Sequence, residues 1–168
     1  MKHHISKTLA AAGMALTAAS TALAVPYYSI TDLGALPGGA ESFATGINEN
    51  GQVVGGTVTT TGRRPFLWDN INGMTDLGDL PGGIDYGEAY GINDSGQVVG
   101  RSHRGTGTRA FLWDSVNGIT DLGDLTGGLD FSEGYAINSS GQVVGKSYST
   151  NGERGFLWDS VRAMHGSG

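Results

Sequence analysis

The chain has 168 residues, 30 of them glycine and none cysteine, and a formal net charge of −6. The lack of cysteine excludes a disulfide framework and a lipid-modified cysteine, so the fold must rest on its own core. The acidic balance argues against a nucleic-acid or anionic-membrane partner and fits a solvated extracellular surface.

At the N-terminus, Lys2, His3, His4 and Lys7 form a basic start and residues 9–24 carry no charge. Ala22-Leu23-Ala24 then supplies the small-x-small pattern that a signal peptidase accepts. Residues 1–24 are therefore expected to be a signal peptide, and the protein to be exported to the periplasm or outside the cell. The uncharged run is short and alanine-rich, which favours a cleaved signal over a membrane anchor. Cleavage after Ala24 leaves 144 residues, enough for one domain with a sizeable core. It also removes Lys2 and Lys7, taking the net charge from −6 to −8.

Three landmarks then recur. Gly51-Gln52-Val53-Val54-Gly55 returns at Gly96–Gly100 and Gly141–Gly145, and Phe66-Leu67-Trp68-Asp69 returns at Phe111–Asp114 and Phe156–Asp159, both at a spacing of 45. Thr31-Asp32-Leu33-Gly34 returns at Thr75 and Thr120, spacings of 44 and 45, so the first copy lacks one residue between Gly39 and Gly46. A fixed period of this size marks a repeat architecture. The expected organisation is a repeat domain over 25–164, with copies at about 30–74, 75–119 and 120–164, and a tail at 165–168.

Each copy breaks into four short β-prone runs. In the second copy these are Ala89–Asn93, Gln97–Arg101, Arg109–Asp114 and Ile119–Leu125, separated by glycine, asparagine, aspartate and serine that supply turns. Four antiparallel strands in a meander follow. Adjacent apolar residues such as Val98-Val99 and Phe111-Leu112-Trp113 imply sheets buried on both faces, as in stacked blades. The expected fold class is all-β, with tandem four-stranded antiparallel units in a β-propeller-like array of three blades. A β-trefoil is the alternative, since it also has three four-stranded units. The last copy departs from the repeat after Val161, and Ser29–Leu33 is expected to pair with the Phe156 strand and close the last blade. An arc of three blades would leave an apolar blade face bare, which predicts self-association, most simply a homodimer forming a six-bladed ring.

The order Asp76-Leu77-Gly78, Gly91-Ile92-Asn93, Gly96–Gly100 and Phe111-Leu112-Trp113 resembles the bacterial family described as "probable extracellular repeat, HAF family", the HAF repeat proteins. The resemblance covers nearly all of the chain after residue 24. The triplet that gives that family its name, His-Ala-Phe, reads here Arg64-Pro65-Phe66, Arg109-Ala110-Phe111 and Arg154-Gly155-Phe156, with arginine each time. The resemblance implies an exported, propeller-like protein and brings no catalytic residues with it.

Residues identical in all copies are expected to build the fold. Trp68, Trp113 and Trp158 are read as core, and Asn48, Asn93 and Asn138 as turn caps three residues before a glycine. The turn Asn138-Ser139-Ser140-Gly141 offers no carboxylate, so no metal site and no cofactor is expected. The candidate ligand-binding residues lie in two loops expected at one end of each unit. One loop carries Glu41 and Phe43, then Asp85, Tyr86 and Glu88, then Asp130, Phe131 and Glu133, and the other carries His103 and Arg104. Carboxylates beside exposed aromatics suit a sugar, whose ring face stacks while its hydroxyls hydrogen-bond. The leading expectation is a secreted binding or scaffold module for carbohydrate or an extracellular protein partner. The alternatives are a glycan-cleaving hydrolase or lyase using loop carboxylates such as Asp85 with Glu88, and a fragment of a longer repeat protein. No catalytic residue is assigned: His103 and His165 are the only histidines after residue 24, and no nucleophile motif accompanies them.

Overall fold

The computed structural model describes residues 28–160 and the backbone of 163–166, so the expected signal segment 1–24 lies outside the described residues. The chain divides into two compact units, Met1–Thr31 and Asp32–Gly168. Of the first, residues 28–31 form no strand. All the strands belong to the second.

The described residues form twelve strands in three meanders and no helix. The first contains β1 (Gly39–Ile47), β2 (Val53–Thr59), β3 (Arg63–Asp69) and β4 (Gly73–Asp76). The second contains β5 (Gly87–Ile92), β6 (Val98–Arg104), β7 (Gly107–Asp114) and β8 (Gly118–Asp121). The third contains β9 (Gly127–Ile137), β10 (Val143–Ser149), β11 (Gly152–Asp159) and β12 (Ala163–Gly166). Within each, neighbours in sequence pair antiparallel. The fold is all-β and propeller-like.

The repeated motifs explain the meander. In Gly-Gln-Val-Val-Gly the first glycine sits at positive φ (73°, 76° and 78° at Gly51, Gly96 and Gly141) and makes the turn. The second, Gly55, Gly100 or Gly145, lies so close to the preceding strand that a Cβ would be 1.9–2.0 Å from the carbonyl oxygen of Phe43, Glu88 or Glu133. Register shifts at Ala44/Gly46, Ala89/Gly91 and Gly134/Ala136 place a bulge there in all three units, at Thr45, Tyr90 and Tyr135. In Phe-Leu-Trp-Asp the phenylalanine is buried, and the aspartate of the first two copies accepts backbone N–H bonds that close the next turn. In Thr-Asp-Leu-Gly the aspartate caps the glycine N–H at 2.8–3.0 Å. The leucines at 77 and 122 leave the sheet and fill the space between units.

The core lies between blades. Val54, Leu67 and Leu77 of the first unit pack with Ala89, Val98 and Phe111 of the second. Val99, Ala110 and Leu122 of the second pack with Val143 and Phe156 of the third. Val98 and Val99 are both fully buried, on opposite faces of one strand. The same polar joints cross both interfaces. Asn48 Nδ2 donates to the Asn93 carbonyl at 3.0 Å, and Asn93 Nδ2 to that of Asn138 at 3.0 Å. Each of the three asparagines also accepts N–H bonds from residues two and four ahead, as a turn cap should. A single parallel bridge links Arg63 with Tyr86 and, 45 residues on, Thr108 with Phe131.

Three expectations need correction. The edge of β11 is taken by β12, with Met164 opposite Trp158 as Met74 is opposite Trp68, while Ser29–Leu33 is not in a strand. A four-residue edge strand needs only free backbone groups to pair with, so Ala163–Gly166 serves without the repeat motif, and β12 runs into the expected tail. The fully enclosed aromatics are Phe66 and Phe111, while the tryptophans are half-buried, Trp113 and Trp158 against the margins of the core. Finally, the loop expected between the second and third strands shrinks in the second unit to the two-residue turn Gly105-Thr106, with Gly105 at φ 57°. His103 and Arg104 are therefore strand residues.

Candidate functional site

Two polar clusters emerge, and several of the candidate residues lie in them. The first is a charged row crossing all three units. Arg101 on β6 reaches Glu88 Oε2 on β5 through Nη2 at 2.7 Å and Glu133 Oε1 on β9 through Nη1 at 2.6 Å. Tyr90 Oη donates to Glu88 at 2.6 Å and Tyr135 Oη to Glu133 at 2.7 Å. Arg63 pairs with Glu88 from the first unit, and Lys146 lies 3.7 Å from Glu133 and 3.3 Å from Glu153. The signs alternate from Arg63 to Glu153, and each inner charge has neighbours of the opposite sign on both sides.

Glu88 and Glu133 are thus buried strand residues and not the exposed loop acids expected of them. Burial works against the charge of Glu88, but the Tyr90 hydrogen bond and the Arg101 and Arg63 guanidiniums outweigh it and hold its carboxyl below the usual glutamate value. Burial, with Glu88 alongside, raises the Tyr90 phenol and keeps it a donor. The aromatic candidates are also occupied. The Arg63 guanidinium lies 5.4 Å from the Phe43 ring and 5.6 Å from the Tyr86 ring, and Arg101 lies 5.3 Å from Tyr86. Lys146 lies 5.5 Å from Phe131, whose edge meets Tyr148 at 5.6 Å. This row ties strands together.

The second cluster is open. A cleft of about 440 Å³ beside the joint of the first and second units is bounded by Leu36 and Pro37, by the turn Thr59–Thr61, and by Arg64, Asp76 and Asp85. Arg64 organises it: Nη2 lies 3.0 Å from Asp76 Oδ2, Nη1 lies 3.1 Å from Asp85 Oδ1, and Nη1 also contacts Asp79. A hydroxyl hydrogen bond from Thr61, then Arg64, holds Asp85 below the ordinary aspartate value. Asp79 behaves oppositely. Burial pushes it up to about 6 against the pull of Arg64, with the neighbouring Asp85 charge adding to the rise.

The second unit repeats the clamp, with Arg109 at 2.5 Å from both Asp124 and Asp130. There Arg104 crosses to Asp121 at 3.1 Å. Thr59 occupies the Arg104 position in the first unit and is too short to do so, which leaves the Asp76 side chain 41% exposed against 24% for Asp121. The repeat symmetry breaks at this point, and hydrogen-bonding groups face open space.

Of the candidates, Asp85 lies in the cleft. Asp130 and Arg104 belong to the counterpart in the second unit. Glu41 is exposed on β1, and His103 is half-buried on β6. Sequence reasoning missed Arg64, Asp76, Asp79 and the threonine turn. The available signal was an arginine followed by aspartates 12, 15 and 21 residues later in two copies. The class is therefore an all-β, propeller-like protein with a polar cleft beside the joint of its first and second units. No family model, curated protein or solved structure matches the chain.

Proposed function

We propose that the chain is an exported propeller-like binding module of the HAF repeat kind, and that the cleft around Arg64 and Asp85 takes a carbohydrate. The observation that carries this reading is the pairing of acceptors and donors in that cleft: the Asp76 and Asp85 carboxylates, the Arg64 guanidinium and the Thr59–Thr61 hydroxyls, beside the apolar edge of Leu36 and Pro37. Vicinal hydroxyls on a sugar both donate and accept, and the less polar ring face suits the Leu36–Pro37 edge. Membership in the HAF family is supported by the order of the repeated motifs, and export by the basic start and Ala22-Leu23-Ala24.

A glycan array followed by titration calorimetry tests the reading. A captured glycan should bind Asp85→Ala about tenfold more weakly, the loss expected for one good polar contact. Capture of no glycan, or capture unaffected by Asp85→Ala and Thr61→Ala, would sink it. Mass spectrometry of secreted protein should find Val25 as the first residue, and an intact Met1 there would refute processing at Ala24.

A further inference from the structure

We propose that the outer face of the third unit is a docking surface for the first unit of a second copy of this chain. The two interfaces inside the chain provide the template. Val54 and Val99, which face the following unit, are 0% exposed, whereas Val144 at the same position in the third unit is 46% exposed. Leu67 is 8% exposed and its counterpart Leu157 45%. A hollow of about 180 Å³ lies over this face, with Ala136, Val144 and Leu157 in its lining.

The surface that would fill it is present at the other end of the same chain. Ala89, which meets the first unit, is fully buried, while its counterpart Ala44 is exposed, and Ile47 is 69% exposed. The polar joints are also left half-made. Asn48 and Asn93 donate to the asparagine carbonyl of the next unit, but among the described residues Asn138 Nδ2 donates only to Gln142. Arg64 meets Asp85 and Arg109 meets Asp130 across the interior joints, whereas Arg154 pairs with no carboxylate among the described residues. Glu41, two residues after a glycine pair as Asp85 and Asp130 are, ends in no ion pair among them either. Apolar surface, amide donor and charge at one end thus each have their complement at the other. Such a contact is heterologous, so it closes into a ring or propagates.

The absence of cysteine permits a direct test. A Cβ at Gly134 would lie 3.5 Å from Val99 Cβ across the interior joint, within the range a disulfide bridges. Across the proposed joint the corresponding pair is Ala44 of one copy and Val144 of the other. Light scattering after size exclusion should give the native protein at least twice the chain mass at about 50 μM, and Leu157→Asp should return it to one chain mass with its melting temperature kept. Under mild oxidation, a mixture of Ala44→Cys and Val144→Cys proteins should form the mixed disulfide dimer, and neither alone should form a dimer. A native protein that stays one chain in mass, or a Val144→Cys protein that crosslinks to itself as readily as to Ala44→Cys, would overturn the proposal.

Discussion

Glycine at position 100 and glycine at position 105 do different work. Gly100 has no room for a methyl group, because a Cβ would lie 2.0 Å from the Glu88 carbonyl oxygen, and that oxygen belongs to a paired strand that cannot move aside. Gly105 faces open space and is needed only for its φ of 57°. Gly100→Ala should therefore cost about 3 kcal/mol or more, and Gly105→Ala about 1 kcal/mol, measured by urea denaturation. Asp79 carries a pH signature. Its folded value of about 6 exceeds the ordinary 3.8, so the folded state holds the proton more tightly than the unfolded chain. The stability associated with Asp79 is fully present below about 4, falls as the pH rises to about 6, and is level above that. Asp79→Asn should remove this slope, so the stability difference between variant and native protein should change between pH 4.5 and 6.5. An unchanged difference would contradict the assignment.

A strand here contributes to two interfaces at once. On β7, Phe111 enters the cluster shared with the first unit, and Ala110 enters the cluster shared with the third. Phe111→Ala should cost about 3–5 kcal/mol, as large core truncations do. Trp113 is half-buried beside the same cluster, so Trp113→Ala should cost less than Phe111→Ala in the same denaturation experiment. The turns preceding the second strands also join units. The Asn93 amide bonds both Gln97 and the Asn138 carbonyl, while among the described residues the Asn138 amide bonds Gln142 alone. In the single-chain Leu157→Asp background, Asn93→Ala should therefore destabilise the chain by about 1 kcal/mol more than Asn138→Ala, the net worth of one hydrogen bond. Equal losses would mean that the asparagines act only as turn caps.

Across the three units, Arg101 is the member of the charged row that touches both Glu88 and Glu133, which belong to different blades. Removing it leaves two buried carboxylates short of a counter-charge. Arg101→Ala should cost about 3 kcal/mol, and Arg101→Lys should recover only part of this, because one ammonium cannot span both acids as a guanidinium fork does. Thermal melts of the two variants distinguish the bridge from simple charge balance, which lysine would restore in full. The cleft depends on a departure among the repeats: its counterpart in the second unit holds Arg104, paired with Asp121, where the first unit has Thr59. Function of the kind proposed would then reside where a copy departs from the pattern.

The period of 45, the four runs per copy and the turn residues were legible in the chain because they are local. A glycine at positive φ, an aspartate capping the next turn and a pair of valines on opposite faces of a strand each act over a few residues. The all-β class and the propeller-like stacking follow from them. The roles of Glu88 and Glu133 were not legible. Each looked like a loop acid, and only the approach of β6 to β9 brings Arg101 to Glu133, 32 residues away. Nor could the motif identify the last strand, since β12 pairs through backbone groups that any residues could supply. Phenylalanine and tryptophan could not be ranked for burial either, because both are large and apolar, and which one is enclosed depends on how far the next blade overlaps the first. The cleft was hidden for the same reason. Arg64, Asp76 and Asp85 meet across 21 residues through pairing and packing between strands, and these contacts leave no pattern among neighbouring residues.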